Sequence, residues 1–404
     1  MDNMREVLAL TLVMALASPA AAAPAKKYLI GFRDGTTPAQ RAAALERLGA
    51  RQSDELLEIS ALVAELDESK TSFLAFEAMA ASNPDVLEVQ EDIYRKWLFA
   101  PSFQGLPFNV AVPEFAKFTK SPAAPLVVLP PGVNKDEVPW GISRVDAPAA
   151  WARSKGEGVK VAVIDTGIDC NHPDLKANCA GGYNAVGSGA PTDDNGHGSH
   201  VAGTIAGVLD GKGVVGVAPK ARLYAVKVLD KDGAGGLSSI IKGLIWAGKN
   251  KMDVANMSLG SPMGVIFMRA ALKYAQMNGV VVMAAAGNDG GSVNYPGAYP
   301  EAIAVSAMDN NDKIAPFSSR GAEVAFIAPG VDVKSSLPGG SWDEFSGTSM
   351  ATPHMAGLAA LAVARGARGQ DAVRKALRAA AKPVPGLKPF EQGAGVVDAA
   401  LLVR

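Results

Sequence analysis

From about residue 136 onward the chain repeats a pattern that few folds can accommodate. Short runs of consecutive apolar residues are separated by segments of helical periodicity. The runs are "VKVAVID" (159–165), "ARLYAVKVL" (221–229), "MDVANMSL" (252–259), "GVVVMAAA" (279–286) and "AIAVSAM" (302–308). Between or before them lie "HVAGTIAGVL", "LSSIIKGLIWAGKN" and "VIFMRAALKYAQMNG". A strand apolar at every position, rather than every second one, is covered on both faces. Such strands alternating with helices predict an α/β fold, a parallel sheet with helices on both faces. Sites in these sheets gather beyond the carboxyl ends of the strands. Asp165 ends the first run and Asn288 follows the fourth.

The preceding residues read as three further segments. Residues 1–22 carry a short apolar stretch, Pro19 and an alanine run, with a cut expected after Ala22 or Ala23. This is a signal-peptide pattern, so a secreted protein, extracellular or periplasmic, is expected. No later run is long and apolar enough for stable membrane insertion. Residues 23–95 form a small unit. "TPAQRAAALERLG" has Thr37 as helix N-cap, Pro38 at the first turn and Gly49 as its stop. With the strand-like "KYLIGF" and "DVLEVQED", a second helix in "SFLAFEAMAAS", and a break inside Glu55–Leu66, the order is β-α-β-β-α-β, a ferredoxin-like α+β unit. Residues 96–135 are a Pro-rich linker or cover segment, and 136–404 the main domain. With 39 basic and 40 acidic residues, no basic field favours nucleic acid. Cys170 and Cys179 are the only cysteines. Export favours a disulfide between them over two free thiols.

The stretch "FSGTSMATPHMAG" (345–357) sets hydroxyls among small residues just before an apolar helix. It reads either as a plain helix cap or as a turn that presents a nucleophilic serine. A serine nucleophile needs a base, and the base an orienting carboxylate. Of four histidines, His354 is badly aimed at Ser349, five positions on along the same helix, and His172 lies in a polar turn. In "DDNGHGSHVAGT", His197 is flanked by glycines at a helix start, whereas His200 falls one turn later. His197 is therefore the favoured base; Asp165, at the end of its strand, reads either as an acceptor of N–H bonds from the turn Thr166–Gly167 or as the carboxylate that fixes the His197 tautomer.

In that order, "VAVIDTGID", "HGSHVAGT" and "GTSMATPHMAG" resemble the signature stretches of the subtilisin-like serine proteases, as do "NMSLG" and "AAAGN". The resemblance covers about 136–404. It implies a serine endopeptidase acting on proteins or peptides, with Asp165, His197 and Ser349 as triad and Asn288 as oxyanion donor. It implies a specificity pocket walled by Ser258, Leu259, Gly260, Ala285 and Gly287, roomy enough for large uncharged side chains. It also implies a substrate-pairing edge with Gly235 and, lining a second apolar subsite, Leu237. A structural calcium is implied at Asp136, Asp174 and Asp210 with the carbonyls of Val208, Lys212 and Val214. Residues 23–95 resemble the family's propeptide, an inhibitor and folding helper, which makes the chain an autoprocessed zymogen. A monomer is expected. Two departures stand out: Ser199 replaces a threonine, and the segment after Asn288 is short.

Overall fold

The computed structural model describes residues 26–98 and 133–404. The expected signal peptide and most of the 96–135 linker lie outside the described residues. The N-terminal unit has four antiparallel strands, β1 (Lys26–Phe32), β2 (Ala50–Leu56), β3 (Ala61–Leu66) and β4 (Val86–Glu91), in the order β2-β3-β1-β4. Helices Pro38–Leu48 and Phe73–Ser82 connect β1 to β2 and β3 to β4. The first helix starts and stops as its sequence dictates. Thr37 Oγ1 accepts the Gln40 N–H, the Gln40 side chain returns to the Thr37 N–H, and Gly49 closes the helix at φ +64°. A separate core of Tyr28, Ile30, Leu48, Leu62 and Phe76 holds the unit together.

The chain then adds a short strand, β5 (Tyr94–Lys96), which pairs with neither neighbour in sequence but with the main domain. Trp97 and Leu98 continue that contact, both donating their N–H to the Gly233 carbonyl.

The main domain is built on seven parallel strands in the order β13-β12-β11-β10-β6-β8-β7. They are β6 (Lys160–Asp165), β7 (Cys179–Asn184), β8 (Arg222–Lys227), β10 (Val254–Met257), β11 (Val281–Ala285), β12 (Ile303–Met308) and β13 (Val324–Pro329). The strict alternation within β6 shows why its sequence is uniformly apolar. Val161 and Val163 join one core cluster with helices His197–Ala206 and Thr348–Ala364; Ala162 and Ile164 join the other with helices Leu237–Lys249 and Ile266–Met277. Both faces are thus buried, as expected for a parallel sheet. After β6 the chain passes to the edge strand β7, returns to place β8 between β6 and β7, then crosses to β10 and builds the other way. The β6/β10 boundary is therefore the switch point where such sheets open a crevice.

Candidate active site

Asp165 lies at that boundary, on the carboxyl end of β6, with no exposed surface. His197 opens a helix just after Gly196, whose φ of +110° turns the chain sharply. The imidazole Nδ1 lies 2.8 Å from Asp165 Oδ1. Nδ1–H donation to the carboxylate leaves Nε2 as the basic nitrogen of the neutral ring. Burial disfavours the imidazolium, but the Asp165 charge and hydrogen bond outweigh it, and the His197 pKa is raised above 6.5. Asp193 adds to that field. Asp165 Oδ1 also accepts the Thr166 N–H at 2.7 Å.

Ser349 sits at the second position of the helix Thr348–Ala364, and its placement follows from Pro353. Proline has no N–H, so the carbonyl four residues earlier loses its helical partner. That carbonyl belongs to Ser349, and Ser258 Oγ donates to it at 2.8 Å. Ser349 Oγ in turn donates to the Ser258 carbonyl at 3.1 Å. Asn256 Nδ2 supports Ser258 Oγ at 2.9 Å. The nucleophile candidate is therefore docked on the end of β10, across the switch point from Asp165. Its hydroxyl is engaged by Ser258 in this state.

Asn288 follows β11, and its Oδ1 accepts both the N–H and Oγ1–H of Thr348, at 2.8 and 2.7 Å. Two donors on one oxygen fix the amide's orientation. The NH₂ is thereby directed away from Thr348. A side chain on Gly347 would approach Asn288 Nδ2 to 3.0 Å, so glycine keeps that approach open. Gly287 has φ +117°, and an added Cβ would lie 2.4 Å from Asn294 Nδ2.

The other histidines are structural. His354 Nδ1 lies 2.9 Å from the Met350 carbonyl within its own helix. His200 Nε2 lies 2.9 Å from the Val333 carbonyl, and its ring stacks on Phe345. His172 caps the turn at Pro173–Lys176 by accepting the Asp174 N–H. Ser199 Oγ accepts the Asp169 N–H at 2.9 Å, which ties the turn after β6 to the helix His197–Ala206.

The residues expected to contact substrate form two edges, and the chain itself lies between them. β5 pairs antiparallel with β9 (Ala234–Gly236), with Arg95 opposite Gly235. Trp97 N–H donates to the Gly233 carbonyl at 3.0 Å, and the Trp97 carbonyl accepts the Gly260 N–H at 3.1 Å. The Trp97 indole, 2% exposed, donates to the Gly235 carbonyl. Leu237 is buried in the core with Trp97 and gives its N–H to the Ile93 carbonyl, so it is not an open subsite wall here. Leu259 and Ala285 are likewise fully buried.

The expected cation ligands converge less fully. The Asp174 carbonyl accepts the Val208 N–H, Asp174 Oδ2 accepts the Val214 N–H and the Trp342 indole, and Asp210 Oδ1 accepts the Lys212 N–H. The side chain of Asp136 lies outside what the structure describes. Glu137, which the sequence did not single out, is buried and accepts N–H groups from Asp210 and Gly211. Burial, with the charges of Asp210 and Asp174, raises its pKa against those hydrogen bonds. Among the described residues no three acidic, histidine or cysteine side chains are placed to hold a metal. The carboxylates are instead turned toward N–H donors. Cys170 and Cys179 form a disulfide, fastening the turn after β6 to the start of β7.

A model of the subtilase family matches residues 156–395, more than half of the chain. The chain belongs to the subtilase family. This subtilase is 56% identical over 227 residues to subtilisin Savinase of Lederbergia lenta, spanning 55% of this chain and 83% of that relative. The same identity over 227 residues to M-protease of Shouchella clausii (strain KSM-K16) spans 55% of this chain and 59% of that one, less than two thirds of its length. With subtilisin E of Bacillus subtilis (strain 168) identity is 39% over 377 residues, covering 89% of this chain and 87% of the relative. An alignment that long reaches into the residues before Asp136. Family membership makes this subtilase a serine endopeptidase.

Proposed function

We propose that this subtilase is a secreted endopeptidase made as a self-inhibited zymogen, cleaving peptide bonds through Asp165, His197 and Ser349. The observation that carries the triad is the 2.8 Å contact between His197 Nδ1 and buried Asp165. In this reading His197 Nε2 takes the Ser349 proton as Oγ attacks the scissile carbonyl, and Asp165 stabilises the imidazolium. Oγ must first leave the Ser258 carbonyl; catalytic hydrogen bonds commonly tighten only with substrate bound. Asn288 Nδ2 and the Ser349 N–H stabilise the oxyanion. The pocket between Ser258–Gly260 and Ala285–Gly287 accepts large uncharged side chains.

The N-terminal unit is the inhibitor. Its tail fills the two backbone edges that an extended peptide would pair with. Asp92 caps the helix Leu237–Lys249, whose own N-cap, Gly236, has no side chain to do so. Lys242 and Lys249 pair with Asp54 and Glu58 of the same unit. Backbone pairing of this kind favours peptides over a rival reading as an esterase. A structural calcium at the 208–214 loop is proposed on donor chemistry alone: hard carbonyl and carboxylate oxygens, with burial and the nearby charges of Asp210 and Asp174 raising the pKa of Glu137. No helix among the described residues is long and apolar enough to cross a membrane.

The test is to assay secreted enzyme on casein and on a short-chain ester, with and without a serine-directed inhibitor. Inhibitable caseinolysis, with the N-terminal unit cut away in the active species and retained in Ser349→Ala, is expected. Inhibitable ester cleavage without caseinolysis contradicts the endopeptidase reading. An active species still carrying 26–98 contradicts the zymogen reading.

A further inference from the structure

Asp165 and His197 come from different elements, and hydrogen bonds to each other do not explain how two loops hold a 2.8 Å contact. A third carboxylate does. Asp193, in the loop before the histidine helix, is 5% exposed. Its Oδ1 accepts the Thr166 hydroxyl at 2.8 Å and the N–H groups of Asn195 and Gly196 at 3.0 and 2.9 Å. Its Oδ2 accepts the Ser199 N–H at 2.8 Å. Thr166 Oγ1 meanwhile accepts the Gly198 N–H at 2.9 Å. Thr166 directly follows Asp165, while Gly196 and Gly198 flank His197. The carboxylate thus ties the residue after the orienting acid to both neighbours of the base.

We propose that Asp193 is the positioning residue of the catalytic pair, setting the Asp165–His197 geometry through Thr166 and supplying a second negative charge to the imidazolium. The inference rests on the triad reading and adds a group that reading does not use. The sequence shows an Asp-Asp pair before "NGHGSH", and the structure separates the two. Asp194 is half exposed and pairs with buried Lys227, whose Nζ also donates to the Thr166 and Leu229 carbonyls. Asp193 faces inward, and among the described residues no basic side chain pairs with it. A buried anion held only by neutral donors costs solvation that those donors offset in part. It also keeps its field for nearby charges. The groups facing His197 are Asp165 from β6, Asp193 from the preceding loop and His200 one turn along. With the two carboxylates outweighing burial, the acid limb of kcat/KM in the wild type should have its midpoint above 6.5.

Three variants of the full-length secreted enzyme separate position from charge: Asp193→Asn, Thr166→Val and Thr166→Ser, each with active sites counted by a serine-directed titrant. Asp193→Asn should lower kcat per titrated site on the order of 10–100-fold with a small change in KM, since misplacement acts on the reacting geometry. Its acid limb should also move to lower pH. Thr166→Val keeps the charge and breaks the tie; it should lower kcat without moving the limb, and Thr166→Ser should restore kcat. An Asp193→Asn enzyme with wild-type kcat and an unmoved limb overturns the proposal. If that variant does not fold, full kcat in Thr166→Val overturns it. Wild-type enzyme that the titrant fails to label at Ser349 refutes the triad reading instead, so the two failures are distinct.

Discussion

At the residue scale, the proposed oxyanion site rests on one oriented amide. Thr348 occupies Asn288 Oδ1 twice, so Nδ2 is the group left to meet a developing charge. Removing a donor used in the transition state lowers kcat and leaves KM nearly unchanged. Asn288→Ala should therefore cost about 10²–10³-fold in kcat, a magnitude carried over from a subtilisin lacking this donor. A loss confined to KM means that Asn288 only shapes the cleft. The members of the proposed triad stood out as candidates because each sits in a short local motif, at a strand end or a helix start. What holds them in place was not legible. The reciprocal bonds between Ser258 and Ser349 join positions 91 residues apart, and the Ser349 carbonyl used in one of them is freed by an internal proline that reads locally as a helix defect. Asp193 was hidden differently: in sequence it is one half of a polar pair, and only burial tells it from Asp194.

At the element scale, helix caps and alternation exposed each unit's inventory, including the Thr37 and Gly49 boundaries and the break between β2 and β3. The pairing of β5 with β9 was not visible, since a three-residue edge strand reaching 140 residues ahead carries no local signature. That contact places Asp92 on the first turn of the helix Leu237–Lys249, where it accepts Ser238 N–H at 2.8 Å. Asp92→Ala, made in an uncut Ser349→Ala chain, should lower unfolding free energy by about 1 kcal/mol, as for other lost caps. Equilibrium denaturation reads this directly, and an unchanged midpoint removes the capping role. The 208–214 loop gives a second test. Calcium bound only by the folded state stabilises it by mass action. Chelation should then lower Tm and speed autolysis, and Asp210→Ala should abolish most of that response. If a chelator leaves Tm unchanged, the hydrogen bonds of Glu137 and Asp174 hold the loop without an ion.

At the scale of the whole molecule, two histidines make the fold acid-labile. Burial pushes His200 down to about 3 and His354 down to about 4, from 6.5. Below pH 6.5 the unfolded chain takes up both protons while the fold refuses them, so stability is full above 6.5 and falls as pH drops toward 4 and then 3. Each contributes a slope of about 1.4 kcal/mol per pH unit within its window. His197 runs the other way: its raised value adds stability below 6.5 that is lost as pH rises through its folded pKa. Denaturant midpoints from pH 8 to 4.5 should fall on the acid side, less steeply in His354→Gln. A flat profile contradicts the two neutral histidines. The fold class was readable from apolar periodicity alone, whereas the way the N-terminal unit pairs with the main domain required the assembled structure. The most direct measurement of the central claim is mass mapping of the secreted, mature enzyme after reaction with a fluorophosphonate. The account predicts one phosphonyl group on Ser349, complete loss of caseinolysis, and no labelling in His197→Ala. Caseinolysis that survives full modification of Ser349, or inactivation by a label on another residue, contradicts it.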